Sequence, residues 1–396
     1  MREVFVVGAA MTRFGKHLDR SSRELVEEAV AGALRDAEAT PRDVEACYVG
    51  NAVSGLMDGQ ESIRGQVVLR HTGLLGAPIV NVENACASSS TALHLGWRAV
   101  ASGMEDCVLV AGYEKLYDQD RRRSFRAFNA SMDLEEMRRR FPGGGEERSV
   151  FMDLYASFDP SPSEEEGRVG GPESEALGMV SVKNHHHGAL NPLSQFREEV
   201  TLEQVLQSRR VAGPLTLLMC SPLSDGAACL VLASRDRAAR LARPAVRVAA
   251  STLVSGRGDD RTRSGAAERA VARAYHAAGL GPEDLDVIEL HDATAIAELH
   301  LYEELGLCGP GEAGRLVLDR STWLGGRLPV NPSGGLLARG HPIGATGAAQ
   351  AVELTWQLQG RCGERQVEGA KVALAQNGGG WVGTDAAACA VHVLVS

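Results

Sequence analysis

The sequence predicts an α/β protein of stacked sheet and helix layers, built as two like halves with one long insertion. The first observation behind this is an internal duplication. The segment Glu27-Glu28-Ala29-Val30-Ala31-Gly32-Ala33-Leu34, followed by Pro41-Arg42-Asp43-Val44-Glu45-Ala46-Cys47-Tyr48-Val49, has a counterpart in Glu268-Arg269-Ala270-Val271-Ala272-Arg273-Ala274-Tyr275, followed by Pro282-Glu283-Asp284-Leu285-Asp286-Val287-Ile288-Glu289-Leu290. Glu27 and Glu268, Pro41 and Pro282, and Asp43 and Asp284 are all 241 residues apart. The second is a pair of short apolar runs, Asp106–Gly112 and Lys371–Asn377, of the kind found in strands buried on both faces. The third is the stretch from Tyr113 to Pro222, which is not repeated. Halves that alternate strands and helices stack their layers about a pseudo-two-fold axis, and reactive residues gather where strand ends of both halves meet.

In order, each copy reads as a strand (Val4–Val7; Ala245–Ala250), a helix, a Pro-Asp turn and a second strand. Pro78–Val82 reads as a strand leading to Cys86, and the small residues Ala87-Ser88-Ser89-Ser90-Thr91-Ala92 open a helix directly behind it. The insertion holds Asp118–Arg123, Met137–Arg140, Gly143-Gly144-Gly145 and the polar run Asp159–Glu166. Irregular segments that long are usually functional or folded subdomains, so it is expected to cover the site. Its two Arg clusters fit either phosphate contacts or solvated helix faces. The expected division is a first half of residues 1–112 with 221–240, an inserted loop domain of 113–220, and a second half of 241–396.

With 396 residues, 23% charged and 44% hydrophobic, the chain reads as globular. A formal charge of −10 argues against a general nucleic-acid binder. The eight cysteines lie far apart with no CxxC spacing, which suits a reduced, cytoplasmic protein better than a disulfide framework or zinc module. The sequence contains no signal pattern or apolar run long enough to span a membrane, and the terminal Val-Leu-Val-Ser is no peroxisomal address.

Cys86, at a strand end and a helix start, is the candidate nucleophile. The helix N-terminus and a nearby imidazolium are expected to lower its thiol pKa. His341 lies between Gly340 and Pro342, before a helix can begin, and is the candidate base. His291 follows the strand Asp286–Leu290 and is expected to face the same cavity, with Asp292 as N-cap of a helix Ala293–Leu305. Adjacent residues on a helix diverge, so His185-His186-His187 is not expected to bind metal. Gln376-Asn377-Gly378-Gly379-Gly380 ends the last apolar run. It fits a cradle of bare amides for an oxyanion, or a plain hairpin.

Asn84-Ala85-Cys86-Ala87-Ser88-Ser89-Ser90, Ser221–Ala228, His291-Asp292-Ala293, Asn331-Pro332-Ser333-Gly334-Gly335 and Gly340-His341-Pro342-Ile343-Gly344-Ala345-Thr346-Gly347, in this order, resemble the thiolase superfamily over nearly the whole chain. The nearest branch looks like the sterol-carrier or lipid-transfer type. The resemblance implies a five-layered αβαβα fold, a loop domain that binds coenzyme A as cosubstrate, and a homodimer. It also implies S-acylation of Cys86, deprotonation of Cys86 by His341, and a thioester carbonyl polarised by His291 through a water. The amides of Cys86 and Gly378 are expected to form an oxyanion hole, Asn331 and Ser333 to sit at the substrate, and Arg121, Arg122 and Arg123 to meet coenzyme A. No permanent cofactor or metal is implied. Ordinary thiolases carry a second, proton-shuttling cysteine just before the terminal glycines, where this chain has Gln376 or Asn377. The lipid-transfer branch can place it two residues after the histidine, where this chain has Ala293. The resemblance therefore implies an acyl-CoA acyltransferase that makes or cleaves a carbon–carbon bond. The alternatives are a subunit of a heteromeric thiolase or retro-aldolase with a small OB-fold, zinc-ribbon (DUF35-type) partner, a decarboxylative ketosynthase-like enzyme, or a lipid carrier.

Overall fold

The computed structural model describes residues 1–141, 149–158, 172–240, 244–258 and 264–396. The glycine run Gly143–Gly145 and the polar run Asp159–Glu166 lie outside the described residues. The strands are β1 (Val4–Met11), β2 (Ala46–Gly50), β3 (Ile79–Val82), β4 (Cys107–Lys115), β5 (Arg210–Ala212), β6 (Leu215–Thr216), β7 (Asp225–Ser234), β8 (Val246–Ser255), β9 (Val287–Glu289), β10 (Val372–Val382) and β11 (Asp385–Val395). Apart from the β5–β6 pair, they join in the order β3-β2-β4-β7-β1-β8-β11-β10-β9. The two halves meet at β1 and β8 through a short antiparallel seam, Phe5 opposite Arg247 and Val6 opposite Val246.

The duplication is visible in this order. In the first half, β3, β2 and β4 run parallel while β7 and β1 are antiparallel to their neighbours. In the second, β9 and β10 run parallel, β11 and β8 are antiparallel to theirs, and Val330 extends the edge through a parallel bridge to Ile288. Both Pro-Asp turns are 3₁₀ turns, Pro41–Asp43 and Pro282–Asp284.

Helices divide the core into layers. On the outer face of the first half lies the helix Ser22–Asp36, started by a Ser21–Glu24 capping box. It buries Leu25, Val26, Ala29, Val30 and Ala33 at helical spacing. The helix Ala266–Ala278 and the shorter Ala295–Glu304 cover the outer face of the second half. Between the two sets of strands run Ser88–Ser102 and Thr346–Leu358, packed on each other and on both halves. Small residues make this double-sided burial feasible: Gly347, Ala348, Ala349 and Ala351 bring the second helix close to its neighbours. The result is the αβαβα layering. Among the described residues, no helix is long and apolar enough to cross a membrane.

Two local expectations are corrected. The helix after β9 starts at Ala295, capped by Thr294, whose side chain accepts from the Ala297 amide. Asp292 turns away and accepts instead from the Leu336 and Leu337 amides and Asn184 Nδ2. The glycines after Asn377 do not end a strand, because β10 runs on through them to Val382 and pairs with β11.

Candidate active site

The loop after β3 carries the thiol. Ala85 takes a left-handed φ of 48°, unusual for a residue with a Cβ, and the chain then makes a 3₁₀ turn, Ala85–Ala87, into the helix Ser88–Ser102. Asn84 N donates to Ser88 Oγ, and Ser88 Oγ donates to Ala85 O at 2.6 Å, closing the turn on itself. The second half repeats the device: the 3₁₀ turn Ile343–Ala345 leads into Thr346–Leu358, and His341 stands just before it. Nucleophile and histidine thus occupy matching loops of the two halves. His291 comes from the end of β9.

These three residues converge. The donor atoms of Cys86, His291 and His341 all lie within 4.8 Å of one another, and all three residues are buried. The two imidazoles meet edge to face with centroids 5.0 Å apart. A thiol and two imidazoles are also the only set of metal-ligand spacing among the described residues.

Hydrogen bonds assign His341 its proton. Its Nδ1 lies 2.8 Å from Thr346 Oγ1, and that hydroxyl donates to Pro342 O. The hydroxyl proton is therefore committed, so Nδ1 must be the donor and Nε2 carries a lone pair. Nε2 has no partner and is fully buried, the state of a base awaiting a proton. His341 N donates to Ser224 Oγ at 2.9 Å, and the Phe128 ring stands edge-on to the imidazole. His291 is held by β10: its amide donates to Gln376 Oε1, and its Nδ1 lies 2.8 Å from Asn377 Nδ2.

Electrostatics correct the expectation of a resting thiolate. Burial pushes the Cys86 thiol up to about 12, with the Glu114 and Glu83 carboxylates acting the same way. The amides of Gly380 and Cys86 itself pull against them. Burial likewise holds His291 down to about 4 and His341 well below the usual imidazole range, the latter with help from His291 and Arg339. Desolvation outweighs the helix end, so the free site holds a neutral thiol and two neutral imidazoles.

The Cys86 sulfur accepts from the Gly380 amide. Gly380 takes φ +63°, and the β10–β11 pairing passes over it, which frees its N–H from the ladder. Gly378 lines a cavity of about 540 Å³ that His291 and Gln376 also line. Leu154, Tyr155, Phe158, Leu301 and Trp381 give the cavity an apolar side, and Arg140, His300, Glu304 and Asp385 give it a polar one.

Asn331 and Ser333, expected at the substrate, are instead saturated by the protein. Asn331 Nδ2 donates to Glu298 and its Oδ1 accepts from Leu290 N. Ser333 Oγ donates to Glu289 and accepts from Arg339. Both are completely buried and brace the strand ends from behind. Arg121, Arg122 and Arg123 are exposed and do not line this cavity: Arg122 is bidentate to Asp120, and Arg123 grips Asp118 and Met57 O. The histidine triplet diverges as expected, with His186 on Glu199, His187 on Asn331 O and His185 stacked on Phe196. Sequence reasoning missed Thr346, Ser224, Glu114 and the Gly380 amide. Glu114, fully buried, accepts from Asn51, Ala52 and Gly344, tying the loop after β2 to the turn that follows His341.

Matches to known proteins agree with this geometry. Residues 4–151 match the model of the thiolase N-terminal domain and residues 248–391 that of the thiolase C-terminal domain. An acetyl-CoA acetyltransferase of Methanothermobacter thermautotrophicus is 42% identical over 398 residues, covering 99% of each chain. Sterol carrier protein 2 of Oryctolagus cuniculus is 38% identical over 389 residues, 94% of this chain and 69% of that protein. Among solved structures, an Ltp2–ChsH2(DUF35) aldolase superposes with a TM-score of 0.80 at 25% identity, covering 100% of this chain and 98% of that one. The chain belongs to the thiolase family.

Proposed function

We propose that the protein is a thiolase-type acyl-CoA acyltransferase that works through an S-acyl Cys86 intermediate and uses coenzyme A as cosubstrate. The observation that carries this reading is the convergence of Cys86, His291 and His341 within 4.8 Å, from loops of both halves. The Cys86 proton passes to His341 Nε2 as the sulfur attacks the thioester carbonyl. The oxyanion is held by the Cys86 and Gly380 amides. Collapse expels the coenzyme A thiolate, which takes the proton back from the imidazolium and leaves the acyl group on sulfur. In the second half-reaction, an acyl-CoA loses its α-proton to His341 while its carbonyl oxygen is polarised by His291. The resulting carbanion attacks the S-acyl carbon, and Cys86 leaves as a thiolate and recovers the proton.

We read Gln376 or Asn377, and Ala293, as occupying the positions where the resemblance implies a second cysteine, and assign both proton transfers to His341. We read 113–220 as the loop domain that receives coenzyme A, flanked by halves 1–112 with 221–240 and 241–396, and place the chain in the cytoplasm, where its eight free cysteines stay reduced. A homodimer is supported by the edge strand β3, on which Val80 is exposed, as are Ile63 and Leu75 on the segments before it. The likeness to the Ltp2–ChsH2(DUF35) aldolase favours a second reading, a subunit that needs a small DUF35-type partner. The test is incubation with an acyl-CoA followed by mass spectrometry. An acyl adduct on Cys86, absent in Cys86→Ala, supports the enzyme; no adduct, with or without a partner chain, overturns it.

A further inference from the structure

Cys86, His291 and His341 form a buried sulfur–nitrogen–nitrogen set, the donors a zinc site uses with a fourth position left open. Zinc binds such ligands at about 2.0–2.3 Å, so closing the set needs only small side-chain movements. To ligate, each imidazole must turn a lone pair inward and give its outer N–H to an acceptor. His341 already does so, with Nδ1–H on Thr346 Oγ1 and a bare Nε2. His291 does not. Its Nδ1 accepts a hydrogen bond from Asn377 Nδ2 at 2.8 Å, and the amide is turned that way by Ser90 Oγ donating to Asn377 Oδ1 at 2.9 Å. Gly347 packs so closely that a Cβ there would strike both Ser90 Oγ and Asn377 Oδ1. The other ring nitrogen of His291, Nε2, is thereby left as an N–H.

We propose that Asn377 is a positioning residue that fixes His291 as an Nε2–H donor, and that by doing so it keeps metal ions out of a cluster that otherwise has the donor set of a zinc site. The proposal rests on reading Cys86 and His341 as the reactive pair. It gives the two histidines opposite tautomers: one lone pair to accept the thiol proton, and one N–H for a carbonyl oxygen.

Asn377→Asp swaps the donor for an acceptor with little change of shape. The His291 proton then moves to Nδ1 and Nε2 faces inward bare, completing a carboxylate–histidine–metal arrangement. The experiment uses the full chain labelled with ¹⁵N-histidine, with His291 assigned by its loss in His291→Gln, and Zn²⁺ alone as the probe in a chelator-dye competition. The expected wild-type spectrum has His291 protonated on Nε2. Asn377→Asp reverses this and binds Zn²⁺ about 10–100-fold more tightly, and Cys86→Ala removes that gain. Asn377→Leu, which removes the donor but supplies no acceptor, gives a smaller gain. A wild-type His291 protonated on Nδ1, or an unchanged zinc affinity in Asn377→Asp, overturns the proposal. If the aspartate variant does not fold, the wild-type spectrum decides alone. Neither readout needs turnover. Failure of acyl labelling with the tautomer as expected removes the functional reading only, and the converse removes this inference only.

Discussion

Replacing Thr346 by valine tests how His341 is made a base. The side chains have nearly the same shape, but valine cannot accept the Nδ1–H that Thr346 Oγ1 takes at 2.8 Å. Both residues are buried, at 0% and 1% exposure, so no bulk water replaces the lost partner. Leaving a buried donor unpaired costs about 1–3 kcal/mol. The imidazole escapes that cost by moving its proton to Nε2, where it no longer accepts from Cys86. Either way the reactive form is disfavoured by that amount, and at 1.36 kcal/mol per tenfold the acylation rate falls by about 5- to 150-fold. Thr346→Ser keeps the hydroxyl and recovers most of the loss. The assay is rapid-quench acylation of Cys86 by an acyl-CoA, read by mass spectrometry, with thermal unfolding as a check on folding. If the valine variant acylates within twofold of wild type, His341 is not positioned through Nδ1 and the assignment of its lone pair is wrong.

Three further outcomes follow from the same geometry. With its thiol near 12 and both imidazoles neutral, Cys86 of the free enzyme is expected to react with iodoacetamide about tenfold faster per pH unit from 6 to 9; a plateau already present at pH 6 would reveal a resting thiolate–imidazolium pair instead. His291 is held at about 4 against 6.5 when unfolded, so below pH 6.5 the unfolded chain binds a proton the folded site refuses, and stability drops as pH falls through 6.5 to 4. Wild type should therefore lose melting temperature more steeply than His291→Gln in that window and run parallel to it above, with parallel curves throughout counting against a neutral buried imidazole. Gly379→Ala drives a Cβ into Asn84 O and the Ala87 amide, so it should cost about 1–3 kcal/mol of stability and most of the acylation rate, whereas Gly378→Ala, whose Cβ meets only Gln376 Nε2 at 3.9 Å, should unfold like wild type.

The sequence made the duplicated frame legible because local patterning dictates it: the 241-residue register marks the same helix, 3₁₀ turn and strand in both halves. It also exposed Cys86, His341 and His291, since each stands beside small residues or at a strand end where packing alone has no use for it. Side-chain saturation escaped it. Asn331 and Ser333 sit in a motif beside the site, yet Glu298, Glu289 and Arg339, distant in sequence, consume their polar atoms. The contact of the Gly380 amide with the Cys86 sulfur also escaped, because it depends on which amide the β10–β11 ladder leaves unpaired. The thiol pKa was misread for a related reason: a helix start can be read from residues 86–92, but the extent of burial that overrides it is set by the whole fold.

The corrected electrostatics change what the site must do. A permanently ionised thiolate would need only a helix end, and one half could supply it. A neutral thiol needs a base that is itself neutral, dry and aimed, and a buried imidazole meets those demands only if its other nitrogen is occupied. Thr346 provides that for His341 from the first residue of the second half's central helix, while Ser90, on the equivalent helix of the first half, anchors Asn377 against His291. The two equivalent central helices thus fix opposite protonation patterns on two adjacent imidazoles. Duplication accounts for the pair of loops, and divergence at Ser90, Thr346 and Asn377 accounts for their unlike chemistry.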